Sequence, residues 1–214
     1  SAYPSLKDDF TAVIARLEQA PVNLKIAHPR LGTKTDFVLS RSKFISHLRM
    51  QLYSMQTRTL VPLVIHQAFL GNYQPMIGLI AMSEGGMGMF AGDANNTFGG
   101  NDSHSAWLQA CPLWPKYAVS DDFYQSVTAN IPTLILSGNL DPVTPPSNGD
   151  ESAKTLPNNH HIVSKNSAHI VASTPCGIEI VNEFLTTLDP NDLDESCLAE
   201  LKSETFMTHL NGNL

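Results

Sequence analysis

The sequence lacks the features that mark nucleic-acid-binding and membrane-spanning proteins. Its 13 basic residues form no run, and 20 acidic residues give a formal net charge of −7. A surface that follows nucleic-acid phosphates needs clustered cations, so we expect no nucleic-acid partner. The longest apolar-rich stretch, residues 60–82, is interrupted by prolines and polar residues. It is therefore unsuited to cross a bilayer, and we expect no membrane partner.

Cysteine is also scarce, and the spacing of the three cysteines argues against a metal site. Cys111, Cys176 and Cys197 form no CxxC pair, and no histidine is spaced to complete a zinc site. We expect neither a metal nor another cofactor. Two of the three cysteines could form a disulfide, which would indicate an oxidising compartment, or all three could be free buried thiols. The spacing alone leaves both options open.

The first 128 residues have the pattern of a helical region with a small hairpin. With 42% hydrophobic and 15% charged residues, the chain has the composition of a folded globular protein. Apolar spacing predicts helices over residues 6–20, 42–54, 57–70, 73–82 and 105–110, and alternation predicts paired strands over 22–27 and 36–39. Residues 84–105 are rich in Gly, Asn, Asp and Ser, which indicates a long loop. We interpret residues 1–128 as a cap or lid region.

Residues 129–214 have the pattern of an α/β fold. The continuous apolar run at 131–136 is typical of a parallel strand that is buried on both faces. A helix over 147–156, a second strand over 160–164 and a closing helix over 174–188 follow. This order predicts part of a doubly wound parallel sheet. Two strands are too few for a complete sheet, so we expect an incomplete one in this chain.

Asp141 and His169 are the candidate catalytic residues of this segment. Each follows one of the two predicted strands, and chemistry in such sheets occurs at the carboxyl ends of the strands. The α/β-hydrolases carry their triad in the order Ser, Asp, His. A single Asp in a turn is usually a cap, and a single loop His is usually an ordinary polar residue. Their joint placement predicts an acid, Asp141, in hydrogen-bonding contact with a base, His169.

The residues around this pair carry a family resemblance. Residues 131–146 read IPTLILSGNLDPVTPP, and further similar stretches lie at 153–157, 167–169 and 174–176 and extend to Cys197. Together they resemble the carboxyl-terminal portion of the tripeptidyl-aminopeptidase-like (TAP-like) α/β-hydrolases, relatives of proline iminopeptidase. The similarity upstream, which includes residues 52–54, is looser. The chain would then supply the cap and the carboxyl-terminal part of an α/β-hydrolase fold.

The resemblance also implies an activity and three further residue roles. It implies a secreted or periplasmic serine peptidase that removes short peptides or single residues from free amino termini. It implies a disulfide between Cys176 and Cys197, with Cys111 free or paired outside this chain. Glu84 stands where the family places an acid that binds the ammonium group of the substrate. A solvent-facing loop glutamate is the alternative for Glu84.

Three departures from the family pattern matter. Ala168 replaces the glycine that usually precedes the catalytic histidine, and Met82 stands where the family often has a cysteine. Above all, the 214 residues contain no Gly-x-Ser-x-Gly nucleophile elbow. We therefore expect the nucleophile and the oxyanion hole to lie upstream of Ser1, and the chain alone to be inactive.

These departures leave more than one function and partner open. As a serine hydrolase, the protein would act on a peptide or a small ester or amide. The missing hydrolase segment, or a second copy of the chain through self-association, would cover the open edge of the sheet. The alternatives are a non-catalytic binding or interaction module that is derived from the hydrolase fold, and an esterase of the same fold.

Overall fold

Two compact units make up the chain. Its structure, a computed structural model, describes residues 2–27, 32–86, 111–209 and 211, with the backbone alone at 82–86. One unit comprises Ser1–Met50, Leu60–Tyr117 and Phe206–Leu214, and the other comprises Gln51–Thr59 and Ala118–Thr205. The division between residues 128 and 129 stays a prediction. No helix within the described residues has the length and apolar character needed to span a membrane.

The first unit is mainly helical and contains one hairpin. Its elements are α1 (Leu6–Gln19), β1 (Val22–Ala27), β2 (Lys34–Leu39), α2 (Arg41–Gln51), α4 (Val61–Phe69) and α5 (Gln74–Gly86). The two strands pair antiparallel, with Val22 opposite Leu39 and Ala27 opposite Lys34. Fully buried side chains from the hairpin and the helices form one core, among them Val13, Phe37, Phe44, Val64, Met76 and Ile80. The helical region with a small hairpin is therefore present.

The second unit contains a parallel strand pair. Its elements are α3 (Met55–Arg58), β3 (Thr133–Gly138), α6 (Pro146–Ala153), β4 (Asn159–Ser164), a 3₁₀ turn (Val171–Ser173), α7 (Pro175–Thr187) and α8 (Ser196–Ala199). β3 and β4 run parallel from the Thr133–Asn159 pair to the Gly138–Ser164 pair, with α6 as the connection between them. Ile162, Cys176 and Ile180 form the buried core, against which Leu134 and Leu136 pack. This β–α–β unit is the α/β part of the fold.

Two local predictions in the first half of the chain are wrong. The helix expected over 57–70 is split into α3 and α4, with Pro62 in the first turn of α4. Proline has no N–H for the carbonyl of Arg58 and its ring would clash there, so a continuous helix is disfavoured. Residues 84–86, expected in a loop, belong to α5. The rest of that predicted loop and the predicted helix over 105–110 lie outside the described residues.

The predicted burial of the first parallel strand on both faces is also wrong for this chain. Residues 133–136 are half-buried, and only Ser137 and Gly138 at the end of β3 are buried. In the described part of the chain β3 pairs with β4 alone, so its other edge stays accessible. A strand with one paired neighbour keeps part of its apolar surface accessible, because nothing in the described residues pairs with its other edge.

A disulfide ties the start of α7 to α8. It joins Cys176 and Cys197, whose Cα atoms lie 5.7 Å apart, and the pairing matches the one that the resemblance implies. Cys111 is a free and exposed cysteine. The bond therefore holds the carboxyl-terminal segment against the helix that follows the candidate base.

Removal of this disulfide is expected to destabilise the second unit. Cys197→Ser should lower its free energy of unfolding by about 3 kcal/mol, because a loop of roughly 20 residues is no longer closed in the unfolded chain. Urea unfolding of the oxidised protein measures the change. Cys111→Ser is the matched control, and it should leave the transition where it is. Equal stability of the two variants, or three free thiols in the denatured wild-type chain, would rule out the pairing.

Candidate active site

Asp141 and His169 lie in contact at one end of the parallel strand pair. Asp141 follows β3 and His169 follows β4, and the loops leave the sheet at the same edge because the strands are parallel. The Oδ2 atom of Asp141 is 2.9 Å from Nδ1 of His169. The Asp141 side chain is 4% exposed, whereas that of His169 is 24% exposed. The carboxylate is thus shielded from water, while the imidazole remains reachable.

Gly138 allows the two loops to approach each other this closely. A Cβ atom at this position would lie 2.1 Å from the carbonyl oxygen of Ala168 and 2.6 Å from that of Ser167. The amide of Leu140 donates to the Ser167 carbonyl at 3.0 Å, and that of Asn139 donates to Ser164 at 3.1 Å. Backbone hydrogen bonds therefore join the aspartate loop directly to the histidine loop, and a side chain at residue 138 would separate them.

The Asp141 carboxylate is held in its ionised form. Burial raises its pKa, but hydrogen bonds from His169, Thr144 and Val143 outweigh this effect and lower the pKa from the usual 3.8 to about 2. Oδ1 accepts the Val143 and Thr144 amides at 2.8 and 3.0 Å, and Oδ2 accepts the Thr144 hydroxyl at 2.8 Å. Asp141 is therefore a carboxylate at every pH above about 4.

This ionisation state decides the proton positions on His169. A carboxylate can only accept hydrogen bonds, so Nδ1 of His169 carries a proton and donates it to Asp141. In the neutral ring Nε2 is then the acceptor. Among the described residues no side chain or backbone group bonds to Nε2. The arrangement can therefore take a proton from a nucleophile that approaches Nε2.

Tyr53 forms one side of a cavity next to His169. The His169 amide donates to the Tyr53 carbonyl at 3.2 Å. The Tyr53 ring meets the imidazole edge to face, with centroids 5.1 Å apart at 74°. A cavity of about 260 Å³ opens here, and Tyr53, Met55, Gln56, Val171, Thr174 and Pro175 are among the residues that line it. No Asp, Glu, Lys or Arg is among the described residues that line it, so this part of the cavity suits an uncharged group.

Three further residues complete the comparison between the predicted site and the structure: Glu84, which was predicted, and Tyr53 and Thr144, which were not. Glu84 lies in α5, but its side chain is outside the described residues, so its role stays a prediction. Tyr53 and Thr144 also lie beside the pair, and neither was predicted there from the sequence. Thr144 has a local signal, since it follows Asp141 by three residues in a turn rich in proline. Tyr53 has none, because it is distant from His169 in the sequence.

Metal binding has no candidate within the described ranges. No three His, Cys, Asp or Glu side chains among these residues are grouped closely enough to hold a metal ion.

The comparison with protein families finds a similarity over part of the chain. Residues 96–197 match the model of a family that is described as TAP-like protein. The match confirms the resemblance to the carboxyl-terminal portion of the TAP-like α/β-hydrolases, and it covers Asp141, His169 and both cysteines of the disulfide. No curated protein and no solved structure matches the chain.

Proposed function

Because residues 96–197 are similar to the TAP-like α/β-hydrolases, we propose that this chain supplies the acid and the base of a serine hydrolase. One observation carries the proposal: a shielded Asp141 carboxylate lies 2.9 Å from Nδ1 of a reachable His169, past the ends of two parallel strands. This is the geometry that orients an imidazole for general-base catalysis.

The chemistry proceeds in two stages with His169 as the proton carrier. Nε2 of His169 takes the proton of a serine hydroxyl while the serine oxygen bonds to the substrate carbonyl carbon. The resulting imidazolium is stabilised by Asp141 and returns the proton to the leaving amine as the C–N bond breaks. Water then attacks the acyl-enzyme with the same base, which releases the acid product. We propose that the serine and the oxyanion donors come from polypeptide outside these 214 residues, since the sequence lacks the elbow motif.

A short peptide with a free amino terminus is the proposed substrate. The family resemblance supports an exopeptidase, with Glu84 as the carboxylate that pairs with the ammonium group. The cavity beside His169 supports an uncharged side chain or peptide group next to the scissile bond, because the described residues that line it include no Asp, Glu, Lys or Arg.

The rest of the hydrolase sheet is the proposed partner of the second unit. The accessible edge of β3 and the exposed side chains of Phe123, Tyr124, Val127 and Ile131 support this assignment. Exposed apolar surface of this kind favours either a docked segment or self-association. The disulfide supports export to an oxidising compartment, which we propose as the location of the protein.

A covalent serine probe tests this function. The isolated chain should neither hydrolyse aminoacyl or tripeptidyl amides nor react with a fluorophosphonate. A protein extended by the upstream coding sequence should be labelled on the serine of a Gly-x-Ser-x-Gly motif, and His169→Ala should abolish the labelling. Parallel assays on simple esters separate a peptidase from an esterase.

Two results would overturn the proposal. A labelled serine within residues 1–214 would mean that these residues contain their own nucleophile. A natural start at Ser1, with no labelling in any form of the protein, would favour the non-catalytic binding module instead.

A further inference from the structure

A serine, a histidine and an aspartate form a hydrogen-bonded triplet where α6 packs on the two strands, separate from the Asp141–His169 pair. Nε2 of His161, in β4, is 2.9 Å from the hydroxyl of Ser137, in β3. Nδ1 of the same ring is 3.0 Å from Oδ1 of Asp150, in α6. One imidazole therefore connects both parallel strands to the helix between them.

The close packing of α6 prevents Ser137 from acting as a nucleophile. Ser137 is 8% exposed, and the His161 side chain is 9% exposed. A Cβ atom at Gly149 in α6 would lie 2.4 Å from Nε2 of His161 and 3.0 Å from the Ser137 hydroxyl. A space that excludes one methyl group also excludes a substrate carbonyl, which must come to about 3 Å from an attacking oxygen.

Each of the two hydrogen bonds that His161 makes has a defined donor and acceptor. The Asp150 carboxylate can only accept, so Nδ1 of His161 donates to it. In the neutral ring Nε2 then accepts from the Ser137 hydroxyl, which leaves both nitrogens satisfied. The arrangement thus adds directional bonds between β3, β4 and α6 to the close packing of the helix on the two strands.

We propose that His161 is a positioning residue for the Asp141 loop. Residues 139–145 form this loop, which begins directly after β3 and ends where α6 starts. Ser137 lies just before the loop and Asp150 lies in the helix just after it, so His161 holds both ends of the loop against β4. Fixing both ends restricts the directions in which the Asp141 carboxylate can point. The role of His161 in catalysis rests on the proposed hydrolase function, whereas its effect on the Asp141–His169 contact does not.

The neighbouring histidine provides a matched control. His160 precedes His161 in β4, and its Nε2 pairs with Oε1 of Glu195 at 2.6 Å. Adjacent strand residues face opposite sides of the sheet, so this pair lies away from α6. His160→Gln also removes a contact between an imidazole and a carboxylate, but it leaves the ends of the Asp141 loop untouched.

The test follows the Nδ1–H proton of His169 by NMR in the folded 214-residue chain. A proton that is hydrogen-bonded to a carboxylate resonates far downfield, and its signal reports the contact with Asp141 directly. In His161→Gln we expect this signal to be lost or to move upfield, and in His160→Gln we expect it to stay. A milder variant, Ser137→Ala, should shift the signal in the same direction and covers the case in which His161→Gln does not fold.

The outcomes separate this inference from the proposed function. An unchanged His169 signal in folded His161→Gln or Ser137→Ala, or an equal change in His160→Gln, would overturn the positioning role. In the active, full-length protein, His161→Gln should lower kcat by up to about 100-fold with little change in KM. If no form of the protein is active but the NMR signals respond as expected, the hydrolase proposal fails and the positioning role stands.

Discussion

Replacing Asp141 with asparagine is expected to lower kcat of the proposed hydrolase by about 10⁴-fold. The amide group of asparagine presents a donor where His169 needs an acceptor. The imidazole then adopts the tautomer with its proton on Nε2, and it can no longer accept the serine proton. Steady-state kinetics on an aminoacyl or tripeptidyl amide measures the loss. Because the pKa of Asp141 is about 2, the wild-type carboxylate is ionised above about pH 4 and the deficit should persist through neutral pH.

The control for this prediction is Asp192→Asn. Asp192 is exposed in the same unit and lies before α8, so the variant has the same change of charge without a change at the site. Its kcat should match that of the wild type. A loss of less than about tenfold in Asp141→Asn would mean that His169 does not depend on this carboxylate, and the assignment of the acid would be wrong.

Replacing Gly138 with alanine is expected to destabilise the second unit by about 3 kcal/mol. The added methyl group would lie 2.1 Å from the Ala168 carbonyl oxygen, which belongs to the backbone and cannot rotate away. The loops must therefore separate, and the hydrogen bond from Leu140 to Ser167 is stretched or lost. We expect the contact between Asp141 and His169 to weaken with it. Urea unfolding and the His169 Nδ1–H signal measure the two effects.

Gly78→Ala is the matched control for this substitution. Gly78 lies within α5, and a Cβ atom there would have no atom of the described residues within 4 Å apart from its own stretch of helix. Alanine is the better helix former, so this variant should be more stable by roughly 0.5–1 kcal/mol. If both variants unfold at the same urea concentration, the close approach at Gly138 does not hold the loops together.

Much of the architecture was predictable because its signals are local. Helical spacing in α1, alternation in β1 and the apolar run of β3 each occupy a single stretch of sequence. The proximity of Asp141 and His169 was predictable in the same way, because a loop that follows a parallel strand has a known place in the sheet. The split between α3 and α4 was missed although Pro62 provides a local signal.

Other features of the site depend on residues that are distant in the chain. Nothing near Tyr53 in the sequence indicates that it meets His169, because the contact exists only after the segment Gln51–Thr59 joins the second unit. The same holds for His161, whose partners lie in β3 and α6. Its two hydrogen bonds appear once α6 packs on the strands, and the space for them requires the glycine at residue 149.

The sequence by itself determined the α/β character of the second half, the order of its elements and the placement of Asp141 and His169 just after the two parallel strands. These follow from periodicity and from the short-range geometry of strands and turns. The tertiary structure decided how far Asp141 is shielded, which nitrogen of His169 faces it, and which side chains surround the pair. Those properties depend on distances between segments that are separate in the sequence. The pKa of Asp141 reflects both burial and the hydrogen bond from His169, and both exist only when the loops after β3 and β4 are packed together.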